Sequence, residues 1–304
     1  MTQEYSGVVI VDKPQGMTSH DVVGKLRRIF KTKKVGHTGT LDPMATGVLP
    51  VLIGNAVKAS SFLVSDSKKY EARMLLGIET DTEDTSGKTL FEKEVICSDD
   101  EVKHAVLSFL GESEQTPPMY SALKVGGQKL CDLARQGIEI EREARKIFVD
   151  EISVDEKISS REWKISVSCS KGTYIRTLIS DIGKKLSCGA AMSALKRTRS
   201  GNFCIENSFS IEALEKLAEE NELEKALIPT ESLFSSLDEV KLEKFYSRLA
   251  RNGQPIYSSR AKLSLPKISE RVRLYDENGV FFALGEVVEI DGEKCVRSIK
   301  MFDI

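Results

Sequence analysis

The segment WKISVSCSKGTYIRTLISDIGKKL (163–186) constrains the fold more than any other, because its periodicity changes once, at a defined turn. From Trp163 to Cys169 apolar and polar residues alternate, the period of a half-buried strand. Lys171 and Gly172 then turn the chain into a helical segment. KKYEARMLLG (68–77) has the same alternation at Tyr70, Ala72, Met74 and Leu76, while GVVIVDKP (7–14) and VLPVLIG read as buried strands. Helical spacing recurs in HDVVGKLRRIF, entered through Thr18 or Ser19, where Val22, Val23, Leu26, Ile29 and Phe30 share one face. SDDEVKHAVLSFLG carries a capping box, Ser98 with Glu101, and a terminating Gly111. Strands and helices mix without a steady βαβ rhythm. The expected fold is α+β, with a largely antiparallel mixed sheet flanked by helices.

QTPPMYSALKVGGQKL (115–130) is rich in turn formers and predicts a long excursion, followed by a short helix, KLCDLARQG, ending at Gly137. The acidic segment SIEALEKLAEENELEKAL predicts one helix closing a first unit, residues 1–230. Beyond Pro229 the texture changes. Short strands with turn signals at DENG (276–279) and DGE (291–293) predict a small separate β-rich domain over 236–304.

No apolar run approaches the roughly 18 residues that span a bilayer, and the polar opening MTQEYSG is no signal peptide, so a cytoplasmic protein is expected. The six cysteines are scattered singly and are expected to be reduced thiols in the core. His20, His37 and His104 lack metal-motif spacing, so no metal is expected. The net charge of −2 is unevenly distributed: residues 205–243 hold eleven acids against three bases, whereas Gly24–Leu41 holds six bases and no acid. LKRTR (195–199) adds three more bases. Such runs suit either a solvated face or a polyanion.

KVGHTGTLDPMATGVLP (34–50) sets a single carboxylate, Asp42, among glycines and small residues. It is neither a GxxxxGK[ST] phosphate loop nor a GxGxxG fingerprint, and its GHTG meets only the bare GXXG of KH domains. Small neighbours allow close approach of a ligand or another backbone, and the carboxylate could serve as nucleophile or base, or simply cap a turn before Pro43. His37 reads equally as a buried hydrogen-bonding residue. In SKGTYIRTL, Tyr174 and Arg176 straddle Ile175 at a helix start, suited to stacking and charge pairing or to a core tyrosine beside a surface arginine. ETDTEDTSGK (79–88) superficially resembles a calcium loop but lacks the ligand set, and a surface turn is expected.

VDKPQGMTSHDVVGKLRRIFKTKKVGHTGTLDPMATGVLPVLIGNAVK, followed in order by KKYEA, LGIETDTEDTSG, QTPPMYSALKVGGQK, SKGTYIRTLISDIG and LKRTRSGNF, resembles the TruB family of tRNA pseudouridine synthases. Residues 236–304, with LARNGQPI and FFALGEVVE, look like the PUA domain, a small RNA-binding β-barrel. The resemblance implies a pseudouridine synthase fold and isomerisation of uridine to pseudouridine in the T-arm loop of tRNA, without cofactor or metal. It implies Asp42 as nucleophile or base, His37 beside the flipped nucleotide, Tyr70 stacked on the target base, Tyr174 against the ring, Arg176 paired with Asp42, and Leu195 lining the pocket. Residues 115–137 would clamp the RNA arm. A monomer with no obligate protein partner is expected. The rivals are a guide-RNA-dependent synthase of the same superfamily, which generally lacks that insertion, and a non-catalytic RNA-binding or RNA-folding protein. Two positions depart from the family pattern: Ala191, where His is frequent, and Cys131, where Tyr is common.

Overall fold

The computed structural model describes residues 4–63 and 67–302; the first three residues of the polar opening and the last two of the chain lie outside these. A nine-stranded sheet organises residues up to about 204. Its strands are β1 (Gly7–Lys13), β2 (Val35–His37), β3 (Thr46–Ile53) and β4 (Ser67–Leu76), then, after the small hairpin β5 (Ile78–Thr80) and β6 (Thr89–Glu92), β7 (Gly111–Gln115). The hairpin β8 (Lys124–Val125) and β9 (Gln128–Lys129) intervenes before β10 (Arg145–Lys157), β11 (Glu162–Ser170), β12 (Ala190–Ser200) and β13 (Phe203–Cys204). The main path runs β1-β3-β12-β4-β11-β10-β7. Every pairing along it is antiparallel except β12 with β3, where Lys196 faces Thr46 and Arg197 faces Gly47. The largely antiparallel mixed sheet read from the sequence is therefore present.

Helices α1 (Ser19–Ile29), α2 (Asp99–Leu107) and α4 (Ile175–Lys185) begin where the sequence places them. Thr18 Oγ1 accepts from Asp21 N while the Asp21 carboxylate accepts from Thr18 N, and Ser98 and Glu101 repeat the arrangement. Helix α1 buries Val22, Val23, Leu26 and Ile29 against β1 and β3, and α4 buries Ile175, Leu178, Ile179 and Ile182 with Tyr70, Ala72 and Met74. Burying a side chain of this kind contributes about 1.5–3 kcal/mol, so these two faces fix where the helices sit. The excursion after β7 contains α3 (Leu130–Arg135), closed by Gly137 at φ 72°.

The acidic segment is not one helix. α5 (Ile211–Glu219) stops because Asn221 turns left-handed at φ 58° and the Glu222 amide bonds back to the Leu217 carbonyl, leaving a separate 3-10 turn at Leu223–Ala226. The cysteines are all free, but only Cys169, Cys188 and Cys295 are buried; Cys97, Cys131 and Cys204 are half-exposed.

A second, five-stranded sheet follows: β14 (Asp238–Lys241), β15 (Ile256–Tyr257), β16 (Arg271–Tyr275), β17 (Phe281–Ile290) and β18 (Glu293–Met301), with α6 (Lys244–Arg251) and α7 (Ser258–Ala261) between them. The path β14-β16-β17-β18-β15 is open, so the β-rich unit is a curled sheet whose edge strands do not pair among the described residues. Asp291 and Gly292, both at positive φ, make the two-residue turn that sets the β17–β18 register. Phe234, Leu284 and Phe302 bury with Ala59, and Phe62 packs on them, so an apolar cluster joins the second sheet to the turn after β3.

Candidate active site

The loop between β2 and β3 carries Asp42, and three neighbours hold it. From the N-terminal turn of α1, Ser19 Oγ accepts from the Leu41 amide at 2.9 Å and contacts the Leu41 carbonyl at 3.2 Å. From the end of β1, the wholly buried Lys13 donates to the carbonyls of Pro14 (2.9 Å), Met17 (2.6 Å) and Pro43 (3.3 Å). From β12, Arg197 donates to the carbonyls of Gly39 (3.0 Å), Thr40 (3.4 Å) and Val48 (2.8 Å). The glycines serve this packing. Gly47 sits at φ 98°, and a Cβ there would lie 2.2 Å from the Arg197 carbonyl, so no other residue fits the parallel β3–β12 approach.

Helix α4 brings Arg176 to this loop. Its Nε lies 3.0 Å from Asp42 Oδ2, joining two motifs far apart in the chain. Arg176 is 5% exposed, whereas the Asp42 side chain is 37% exposed, so the anchored cation is inside and the carboxylate faces the opening. Arg176 also donates to the carbonyls of Thr82 (2.9 Å) and Tyr120 (2.8 Å), and its Nε lies 3.9 Å from Asp84 Oδ2. The guanidinium is thereby fixed in the plane that meets Asp42.

Two sequence expectations change here. The ETDTEDTSGK segment is not a surface turn: Thr80 and Asp84 are buried, and Asp84 Oδ1 accepts from Thr82 Oγ1 (2.8 Å) and from the Ser86 amide (2.9 Å) while Oδ2 faces Arg176. The loop also docks on β12 through Thr85 N to Met192 O and on α4 through Thr177 Oγ1 to Glu83. Asp42 therefore has a second carboxylate behind its partner. LKRTR, read as a basic run, hides Arg197, which is 1% exposed.

Tyr70, on β4 opposite Arg197, is buried, which pushes its phenol pKa up against the opposing charge of Arg197. Tyr174 is the N-cap of α4, and its side chain makes no capping bond. Gln115, at the end of β7, accepts from its amide (2.8 Å) and donates to its carbonyl (3.0 Å). Burial raises the Tyr174 phenol too, and Asp42's charge is felt at both tyrosines. Leu195 is buried with Tyr70, Leu41 and Ala45 in one cluster. Asp42, Tyr70, Tyr174, Arg176 and Leu195 thus gather around one loop. His37 lies at its entry; burial, then the charges of His20 and Arg197, lower its pKa, and its Nδ1 is buried without a hydrogen-bond partner. A cleft of about 430 Å3 with Met44, Thr46, Ala72 and Leu195 in its lining reaches the loop at Met44 rather than at the carboxylate. The ion pair, not the cavity, locates the site. Among the described residues no three His, Cys, Asp or Glu side chains converge as a metal site.

Sequence reasoning missed Lys13, Asp84, Gln115 and Arg197. A signal existed for Arg197, since alternation from buried Leu195 puts it on the same face. For Lys13, burial lowers the amine to about 8, partly opposed by Asp42. A lysine depressed in the folded state penalises folding fully below that value, and the penalty is relieved as pH rises toward the unfolded value near 10.5. The unfolding free energy of the wild type minus that of Lys13→Met is expected to be flat below pH 8 and to rise between pH 8 and about 10.5. At pH 7 the variant should lose about 2–4 kcal/mol, because the Pro14 and Met17 carbonyls lose the Lys13 donor and that of Pro43 keeps only the Gly16 amide. Urea denaturation across that range measures both.

Two family models match the chain in succession: the TruB family pseudouridylate synthase N-terminal domain over residues 27–175, and the tRNA pseudouridylate synthase B C-terminal domain over 176–235. Among curated proteins, a tRNA pseudouridine synthase B of Alkaliphilus oremlandii is 49% identical, covering 84% of each chain. That of Clostridium tetani is 45% identical over 96% of this chain and 99% of its own, and that of Escherichia coli is 40% identical over 94% and 92%. Among solved structures, a Cbf5–Nop10–Gar1 complex matches with a TM-score of 0.71 at 29% identity, covering 98% of this chain and 85% of the other. An H/ACA ribonucleoprotein bound to a substrate RNA matches with a TM-score of 0.69 at 26% identity, with the same coverage.

Proposed function

The chain belongs to the TruB family of pseudouridylate synthases, and on that premise we propose that it isomerises uridine to pseudouridine in the T-arm loop of tRNA, at position 55, with Asp42 as the catalytic carboxylate. The observation that carries the assignment of the site is the 3.0 Å pairing of Asp42 with the buried Arg176. The reaction breaks the N1–C1′ bond and forms C5–C1′; the C5 proton goes to solvent and N1 takes one up, so atoms and electrons balance without a co-reactant. A uracil inside a folded loop must first be extruded, at a cost of a few kcal/mol, and held in a closed pocket. Tyr70 supplies the stacking surface, Tyr174 and Leu195 the walls, and His37 the loop entry. T-arm RNA tritiated at uridine C5 tests this: tritium release is expected with or without chelator, and none at enzyme concentrations that bind the RNA would overturn it.

Tyr70→Ala should slow turnover more than it weakens binding, since stacking is worth about 1–3 kcal/mol and acts on the flipped base. Equal activity would remove Tyr70 from the pocket.

Residues 1–230 form the catalytic domain in this reading, 115–137 its RNA-clamping insertion and 236–304 a PUA-like RNA-binding domain. Arg27, Arg28, Lys31, Lys33 and Lys34, all exposed, support a polyanionic substrate. The insertion favours a stand-alone tRNA enzyme over a guide-RNA-dependent one. The protein acts as a monomer in the cytoplasm; no helix of the described residues is long and apolar enough to cross a membrane. Light scattering of the purified protein should return a single-chain mass near 33.7 kDa. Ala191 is wholly buried and Cys131 lies in the insertion helix, so of the two departures only Cys131 is placed to touch RNA.

A further inference from the structure

Arg197 is the largest fully buried side chain of the described residues, yet no carboxylate pairs with it there. A buried, unpaired guanidinium is expensive to keep, and hydrogen bonds must offset that cost. Its hydrogen bonds converge on the catalytic loop and its flank: Nη2 to Gly39 O and Nη1 to Thr40 O in the loop before Asp42, Nε to Val48 O on β3 just beyond it, and a further side-chain bond to the Tyr70 phenol. Ser19 and Lys13 touch the loop at one point each, Leu41 and Pro43, whereas Arg197 spans it from arm to arm. The strand that carries Arg197 is shaped for this. β12 has register shifts between Met192 and Ala194 and between Arg197 and Arg199, which bracket Leu195 and Arg197 and re-aim them. Arg197 also stands opposite Tyr70 in register, so one side chain links the loop to the strand proposed to present the stacking ring.

We propose that Arg197 is a positioning residue for Asp42: its fork sets the separation of the two loop arms, and so holds the carboxylate where Arg176 and a flipped nucleotide can both reach it. The proposal rests on Asp42 being the catalytic carboxylate. A planar fork with fixed donor directions suits this role: a lysine ammonium can bond several carbonyls where they converge on one point, as Lys13 does, but it does not set a fixed separation between two arms.

The test uses the full chain with Arg197→Lys, which keeps a buried cation, and Arg197→Met, which does not. Three quantities are measured: single-turnover pseudouridine formation at saturating T-arm RNA, RNA affinity, and thermal midpoint. Displacements of about 1 Å from a reactive geometry cost on the order of 100-fold. Arg197→Lys is therefore expected to lose about 100-fold in single-turnover rate and Arg197→Met more, with RNA affinity within about threefold of wild type for both. A single-turnover rate per folded molecule equal to wild type in Arg197→Lys would overturn the proposal, as would a rate loss matched by loss of RNA binding. Failure of both variants to fold would assign Arg197 to the core alone and overturn it equally. Asp42→Asn is run beside them: if that variant keeps turning over, the reading of Asp42 fails, whatever Arg197 does.

Discussion

Asp42→Asn is expected to reduce tritium release by roughly four orders of magnitude or more, the scale on which loss of a nucleophile or its base is felt, while RNA affinity stays within a few-fold of wild type. The expectation follows from the geometry around the carboxylate. Asparagine is nearly isosteric, its amide oxygen can still accept from Arg176 Nε, and the loop remains held through Leu41, Pro43, Gly39, Thr40 and Val48, none of which involves the Asp42 side chain. Fold and RNA surface should therefore survive the loss of the reactive oxygen. Filter binding and tritium release on the same preparation separate the two quantities. A comparable fall in both would make Asp42 a structural residue.

Arg176→Met should be the most damaging substitution to stability and activity together. It removes one cation from two carboxylates and two carbonyls, those of Thr82 and Tyr120. Asp84 is buried and would be left without its counter-charge, a situation that costs about 3–5 kcal/mol, whereas the share owed to the more exposed Asp42 is screened by solvent. The single-turnover rate should fall by two to three orders of magnitude, since Asp42 loses the group that orients it. Adding Asp84→Asn should return about 1–2 kcal/mol of the stability but none of the rate, because the residues couple through the missing guanidinium and the neutral amide no longer needs it. A single variant as stable as wild type would refute the buried network. Hydrogen exchange around Tyr120 should quicken, as its carbonyl loses one of the bonds that tie the insertion to α4.

Much of the fold was legible because its signals are local. Period-2 alternation in β4 and β11, the capping boxes of α1 and α2, and the Asp-Gly turn between β17 and β18 each depend on a few neighbouring residues. The acidic helix failed at Asn221 because a left-handed cap competes with helical propensity there, and composition does not reveal which wins. For the site, the sequence marked Asp42, Tyr70, Tyr174 and Arg176 through the company they keep in motifs, and the family they indicate points to isomerisation of uridine to pseudouridine.

What the sequence by itself determined was most of the elements, the mixed α+β class and the candidate residues for the chemistry. Only the tertiary structure decided how they are held. Asp84 behind Arg176, Lys13 under Pro43 and Arg197 across both arms of the loop are buried polar contacts between segments remote in the chain. Their worth comes from burial, which makes a charge costly unless it is satisfied, and burial at those positions exists only once the sheet has brought β1, β3 and β12 side by side.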